Sequence, residues 1–259
     1  MVRNKQEIAV GEPYIVANDL SLHNPIRSAY MGVSCTIPKG KLCSIVGENG
    51  SGKTEFLLTI AGRMKQTSGT LTVAGYSHPE ERSMIRPLSG LGFFARVNEV
   101  QPVLRVRSVF AAELNLYSIR SSRKATEALL DKWGLLKVAD SRVDTLDRYT
   151  YVRLGIALGL VGSPELLVVD DIEADLTRHQ SIKLLNELAE IAHSTDTTIV
   201  VSVTDYELGR LADLAIPINA AAQAQAQAVE EKYKKGQMHQ DEIRNVVRDV
   251  IRDEVLNNA

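Results

Sequence analysis

Short apolar runs alternate with helically spaced segments along the sequence, and this order predicts an α/β fold. Residues 14–20 and 29–37 are typical of strands in an antiparallel layer. Later apolar runs predict buried strands of a parallel sheet that is covered on both faces, at 41–46, 166–169 and 198–203. A glycine-bounded strand is predicted at 68–75, and helices are predicted at 55–61, 178–192 and 207–211.

The pattern becomes helical between about residue 96 and residue 160. Apolar residues recur there at helical intervals in 109–114 and 126–130, so we interpret this part as an inserted α-helical subdomain. The polar stretch 78–82 is instead typical of a surface loop.

The composition changes at residues 220–228, where alanine and glutamine alternate without an apolar pattern. We interpret this stretch as a linker that ends a domain of residues 1–219. Residues 229–259 then predict a C-terminal amphipathic helix, whose apolar face consists of Ile243, Val246, Val247, Val250, Ile251 and Val255. Such a helix either folds back on its own domain or joins subunits, and the sequence leaves both alternatives open.

Composition and charge narrow the classes of partner. The 259 residues, 44% of them hydrophobic, can bury a core of full domain size. With 30 basic and 32 acidic residues, the net charge of -2 gives no electrostatic reason to expect nucleic acid as a partner.

Cys35 and Cys43 fall in strand-like runs and are predicted to be core residues rather than metal ligands. Because no secretory segment and no long apolar run is present, we expect a cytoplasmic location.

The most specific motif is a glycine-rich loop between the strand 41–46 and the helix 55–61. It matches the phosphate-binding pattern G-x-x-x-x-G-K-[ST] at every fixed position. Its glycines let backbone N–H groups point inward, Lys53 neutralises the outer phosphates, and the Thr54 hydroxyl can bind Mg²⁺. The sequence therefore predicts a nucleotide site formed by Gly47, Glu48, Asn49, Gly50, Ser51, Gly52, Lys53 and Thr54.

A second motif follows the buried strand 166–169, which ends in Asp170 and Asp171. Catalytic groups collect at this edge of parallel sheets, and Asp170 is predicted to bind Mg²⁺ together with Thr54. Asp171 is the candidate catalytic residue that would polarise the attacking water, although its side chain is one methylene shorter than that of glutamate. The alternative is that both aspartates only cap the next helix.

Together these motifs resemble those of the ATP-binding cassette (ABC) family of transporter ATPases and their relatives. The resemblance runs from about residue 14 to residue 217 and also includes the segments 37–41, 153–160 and 163–167. It implies a P-loop NTPase core with a mixed sheet, an antiparallel β layer and a helical subdomain. It also implies that ATP is bound with Mg²⁺ between two facing domains, so that each nucleotide is closed by the signature loop of the opposite subunit.

The sequence departs from the family pattern at most positions that serve turnover. The family's Leu-Ser-Gly-Gly-Gln signature aligns with residues 146–150, where Asp147 replaces the serine and Arg148 and Tyr149 replace the glycines. A glutamine expected after the strand 91–95 is replaced by Arg96, and the glutamate base is replaced by Asp171. Whether Arg96 and Arg148 substitute for lost catalytic groups is open.

Further departures lie in the loops around the predicted site. The family's histidine after the last buried strand is Thr204 or Asp205 here, and its inter-subunit aspartate aligns with Thr177. The adenine-stacking aromatic residue falls near His23, which can stack on a base or be an ordinary surface histidine.

Two functions are compatible with these features. Because the phosphate loop is complete while the positioning groups are altered, the first is an MgATP-binding protein in which nucleotide gates assembly or docking, with slow or absent hydrolysis. The alternative is the ATPase subunit of a transporter, which docks on separate membrane proteins near residues 96–104 and is held at the inner face of the membrane through them. Both imply a homo- or hetero-oligomer formed through the cassette and the C-terminal helix.

Overall fold

A computed structural model describes residues 11–23, 28–119 and 122–218. The predicted linker 220–228 and the predicted helix at 229–259 lie outside the described residues. The strands are β1 Pro13–His23, β2 Ser28–Pro38, β3 Leu42–Val46, β4 Ser68–Val73, β5 Tyr76–His78, β6 Ser89–Leu91, β7 Leu166–Val169, β8 Thr198–Val203 and β9 Leu214–Pro217. The α-helices are α1 Lys53–Ile60, α2 Arg82–Leu88, α3 Val106–Leu116, α4 Arg123–Lys132, α5 Arg148–Gly159, α6 Arg178–Thr195 and α7 Tyr206–Gly209.

A parallel sheet with the strand order β6-β7-β8-β3-β9 forms the centre of the fold. Every residue of β3, β7 and β8 is buried, because apolar side chains point to both faces of these strands. On β3, Cys43 and Ile45 pack on the side of α1, whereas Leu42 and Val46 pack on the side of α6. The predicted sheet with two covered faces is therefore confirmed.

An antiparallel sheet with the order β2-β1-β4-β5 packs against α1. Tyr30 of β2 contacts Phe56 of α1 edge to face, with ring centroids 5.5 Å apart, and its hydroxyl donates to Thr59 Oγ1 at 2.9 Å. The parallel and antiparallel pairings of the predicted architecture thus lie in separate sheets that share one apolar core.

The prediction of a surface loop at 78–82 is wrong at both of its ends, and at the second end α2 begins with Arg82. His78 belongs to β5 and is only 3% exposed. The Gln66 side chain makes this burial possible, because its amide donates to the His78 carbonyl at 2.7 Å and its oxygen lies 2.5 Å from His78 Nδ1. A hydrogen-bonding partner twelve residues away along the chain gives no signal in the local pattern.

The helices α3, α4 and α5 share a core of their own, which includes Val106, Phe110, Leu130 and Leu154. Helix α5 also lies close to β6: a Cβ at Gly90 would be 2.0 Å from the Gly159 carbonyl oxygen, so only glycine allows this approach. This contact fixes α5, and with it the loop before α5, against the central sheet. None of the helices within the described ranges has the length and apolarity needed to cross a bilayer.

Candidate functional site

The glycine-rich loop connects the end of β3 to the start of α1. Its first residue is anchored to the neighbouring strand β8, because the Gly47 N–H donates to the Val203 carbonyl at 3.2 Å. Gly52 has a φ of 90°, and a Cβ at that position would lie 2.0 Å from the Ala29 carbonyl oxygen of β2. A side chain at residue 52 would therefore combine left-handed strain with a backbone clash, so the curled loop requires glycine there.

Lys53 and Ser51 place a buried cation and an unsatisfied hydroxyl at the centre of this loop. Lys53 is 8% exposed, and its Nζ donates to the carbonyls of Gly47 and Glu48 at 2.5 and 3.0 Å. Burial lowers the pKa of Lys53, and this effect is opposed by the charges of Asp170, Asp171 and Glu173. In the part of the chain that the structure describes, Ser51 Oγ is buried and has no hydrogen-bond partner. A buried ammonium and an orphaned hydroxyl in a curled backbone fit a phosphate chain.

The strand-end carboxylate Asp170 lies directly opposite the start of α1. Thr54 Oγ1 donates to Asp170 Oδ2 at 2.6 Å, and Ser202 Oγ donates to Asp170 Oδ1 at 2.6 Å. Hydroxyl and carboxylate oxygens are the ligands that suit Mg²⁺. The predicted pair of Thr54 and Asp170 is therefore brought together. Ser202 was not predicted to belong to the site, and its only sequence signal is a hydroxyl inside a largely apolar strand.

Asp171 follows in a left-handed conformation, with a φ of 50°. Its N–H donates to Ser202 Oγ at 2.7 Å. Desolvation and the Asp170 charge raise the pKa of Asp171, while Arg148 and Lys53 oppose this shift. The alternative that the two aspartates cap the next helix is wrong, because Thr177 forms the N-cap and capping box of α6.

The structure adds a third carboxylate, Glu173, which sequence reasoning missed. Its Oε1 accepts the N–H of Thr204 in a short hydrogen bond and the N–H of Asp205 at 3.3 Å. Glu173 thereby links the loop after β7 to the loop after β8. No periodicity or motif at residue 173 predicts this contact, because it depends on how two loops meet.

The altered signature segment serves as the start of a helix. Asp147 is the N-cap of α5 and accepts from Thr150 N at 3.0 Å and from Thr150 Oγ1 at 2.6 Å. The bond from the Thr150 side chain, reinforced by backbone N–H groups, lowers the pKa of Asp147. Arg148 Nε donates to the Ala174 carbonyl at 3.1 Å, so this side chain reaches the loop that follows Asp171 of its own subunit.

Two other candidate residues, Arg96 and His23, make contacts with residues outside the phosphate loop. Arg96 is exposed, has a φ of 64°, and its N–H donates to Glu99 Oε1 at 3.0 Å. His23 is exposed at the end of β1, where its Nδ1 lies 2.9 Å from Thr67 Oγ1. Within residues 11–23, 28–119 and 122–218, neither side chain is hydrogen-bonded to the phosphate loop or to Asp170.

With this geometry in place, comparison with known proteins identifies the family. The model of the ABC transporter family matches residues 30–174 of the chain. The chain belongs to the ABC transporter family. Similar relatives include the phosphonates import ATP-binding protein PhnC 2 of Synechococcus sp. (strain JA-2-3B'a(2-13)), 27% identical over 196 residues, which are 71% of this chain and 72% of that protein. PhnC 3 of Nostoc sp. (strain PCC 7120) is 29% identical over 192 residues, 70% of this chain and 73% of its own length.

Solved structures show the same fold in other ABC cassettes. The dimeric ATP-binding cassette MJ0796, in a post-hydrolysis state with ADP and Pi, aligns with a TM-score of 0.67 at 21% identity and covers 79% of this chain and 94% of its own. The cbiO1 protein of Clostridium perfringens aligns with a TM-score of 0.68 at 18% identity. The alignment covers 92% of this chain and 100% of the cbiO1 chain. The predicted ABC fold is confirmed. The ADP and Pi bound to MJ0796 are the hydrolysis products of ATP, so a relative with this fold binds the predicted nucleotide.

Proposed function

We propose that this ABC protein is the ATP-binding subunit of a transporter, which energises transport through separate membrane subunits. The observation that carries the proposal is the curled loop around the buried Lys53, which faces the hydrogen-bonded Thr54 and Asp170. In this proposal Gly47–Thr54 bind the phosphates, and Thr54 and Asp170 hold Mg²⁺. The relatives named as phosphonate import proteins support a transport role.

The loop after β6 supports docking on a membrane protein. Val97, Val103 and Leu104 are large apolar side chains that are 50%, 61% and 39% exposed. They fall in residues 96–104, the segment where the family resemblance implies docking. Exposed apolar side chains grouped in one loop are typical of a surface that is covered by a partner.

We expect the double variant Val97→Asp/Val103→Asp to dock poorly, because new carboxylates would be buried without partners. In the organism that encodes the chain, the fraction that sediments with membranes should fall at least about fivefold. Met84→Asp is the matched control, since Met84 is an equally exposed apolar residue on α2 and lies outside this loop. If the double variant sediments like the wild type and the control, the proposed docking site is wrong.

We also propose that this chain hydrolyses ATP slowly or not at all, so that nucleotide binding gates assembly or docking. It is supported by Asp147, whose carboxylate caps α5 at the signature position. It is also supported by Asp171, whose side chain is short and whose raised pKa is opposed by the charge of Arg148. It is compatible with a transporter subunit that is nearly inactive until a partner completes the site. The dimeric relative supports pairing with a second cassette, whereas the role of the C-terminal helix stays a prediction.

The Asp171→Asn variant tests the rate directly. We expect phosphate release from MgATP by the purified chain to be slow and to change less than about threefold in the variant, because Asp171 is too short to serve as an efficient base. Asp175→Asn, an exposed residue of the same loop, is the control. A decrease of about 100-fold in Asp171→Asn alone would instead identify Asp171 as a working base.

A further inference from the structure

One peptide group connects the phosphate loop to a carboxylate that lies outside every motif. The carbonyl of Val203 accepts the N–H of Gly47 at 3.2 Å, and the N–H on the other side of the same peptide, that of Thr204, donates to Glu173 Oε1. The next N–H, that of Asp205, donates to the same oxygen at 3.3 Å. The first residue of the phosphate loop and Glu173 therefore hold opposite ends of the Val203–Thr204 peptide.

The backbone around Glu173 is anchored by the burial of its neighbour and by a hydrogen bond. The preceding residue, Ile172, is fully buried in the core beneath α6, and the Glu173 carbonyl accepts the N–H of Leu176 at 3.1 Å. The charge of Glu173 contributes to the pKa of both Lys53 and Asp171, raising each of them.

Helix capping does not explain why Glu173 bonds to the loop after β8. The short helix α7 is capped by the Asp205 side chain, which accepts from Glu207 N at 2.8 Å and from Leu208 N at 3.3 Å. Asp205 is in turn paired with Arg178 at 2.7 Å. Asp205 thus satisfies the N–H groups of Glu207 and Leu208, whereas Glu173 accepts the N–H groups of Thr204 and Asp205 that precede the helix.

We propose that Glu173 is a positioning residue that fixes the Val203–Thr204 peptide and, through it, the first residue of the phosphate loop. Its Oε1 acts as a hydrogen-bond acceptor and transfers no proton. The inference deepens the proposed function, because it rests on MgATP being the ligand of this loop. The amide N–H groups of a phosphate loop point to a bound phosphate only when the backbone of the loop is held in place. Removal of the Glu173 acceptor should therefore lower the affinity for nucleotide.

The substitutions Glu173→Gln and Glu173→Ala separate the acceptor from the charge. Glutamine keeps an acceptor oxygen at the same reach, whereas alanine removes it. In the nucleotide-free full chain, we expect hydrogen exchange of the Gly47 and Thr204 amides to be at least about tenfold faster in Glu173→Ala and within about threefold of the wild type in Glu173→Gln. MgATP affinity, measured by calorimetry, should fall at least about tenfold in the alanine variant only.

Two further variants complete this experiment. Glu173→Asp shortens the side chain by one methylene and should behave like the alanine variant, which keeps the test valid if Glu173→Ala does not fold. Glu190→Ala truncates an exposed glutamate of α6 and should leave both measurements unchanged.

Two results would overturn the proposal. The first is exchange of the Gly47 amide at the wild-type rate in both Glu173→Ala and Glu173→Asp. The second is a loss of MgATP affinity in Glu173→Gln as large as that in Glu173→Ala, which would show that the charge and not the acceptor matters. If the wild-type chain bound no MgATP, the proposed function would fail, while amide exchange in the nucleotide-free protein would still test the position of Gly47.

Discussion

The Lys53→Ala variant is expected to lose at least about 100-fold in affinity for MgATP, equivalent to about 2.7 kcal/mol. Lys53 is the buried cation of the phosphate loop, and its removal leaves phosphate charge without a charge-assisted donor. Equilibrium binding of a fluorescent ATP analogue, with MgATP as competitor, measures the loss.

The matched control for this variant is Lys65→Ala. It removes the same charge from an exposed residue between α1 and β4, so the net charge of the chain changes equally. Equal losses in Lys53→Ala and Lys65→Ala would mean that the loop does not bind phosphate through Lys53. Thermal melting of both variants shows whether the fold is retained.

The Asp170→Asn variant is expected to lose at least about tenfold in affinity for MgATP and to bind Mg²⁺-free ATP as well as the wild type does. A neutral amide is a poorer ligand for Mg²⁺ than a carboxylate, while the phosphate loop itself is unchanged. Titration with ATP in the presence of Mg²⁺ and of EDTA separates the two effects.

Asp175→Asn serves as the control here, because it makes the same replacement at an exposed position of the loop that follows β7. An Asp170→Asn variant that kept the full benefit of Mg²⁺ would place the ion elsewhere. The hydrogen bonds of Thr54 and Ser202 to Asp170 would then be only structural.

The sequence predicted the groups that are fixed by a local pattern. The phosphate loop, the strand β3 before it and the helix α1 after it follow from contiguous residues, and β7 and β8 follow from largely apolar runs. The pairing of Thr54 with Asp170 also followed, because a parallel sheet brings strand ends to one edge.

The groups that were missed depend on contacts between distant loops and strands. Ser202 reaches Asp170 because β7 and β8 are neighbours in this register, and a single serine within an apolar strand carries no such information. Glu173 reaches Thr204 only through the shape of the loop after β7. The edge strand β9 was also not predicted, since it is short and ends in Pro217, a residue that disfavours a strand prediction.

Two residues that depart from the family pattern, Asp147 and Thr177, are helix N-caps in the structure. Asp147 is a satisfied helix cap with two bonds to Thr150, and Thr177 caps α6 through a capping box, so both positions stabilise helices in this chain. Arg148 bonds to Ala174 of its own subunit, and its charge opposes the rise that burial causes in the pKa of Asp171. These contacts support slow turnover by the isolated chain and leave the phosphate-binding groups untouched.

The central claim is that the loop around Lys53 and the Thr54–Asp170 pair form a working MgATP site. Calorimetric titration of the purified wild-type chain with MgATP tests it most directly. We predict saturable binding of one nucleotide per chain, weakened at least about tenfold when EDTA removes Mg²⁺. The absence of saturable binding, or binding that is unaffected by EDTA, would contradict the account.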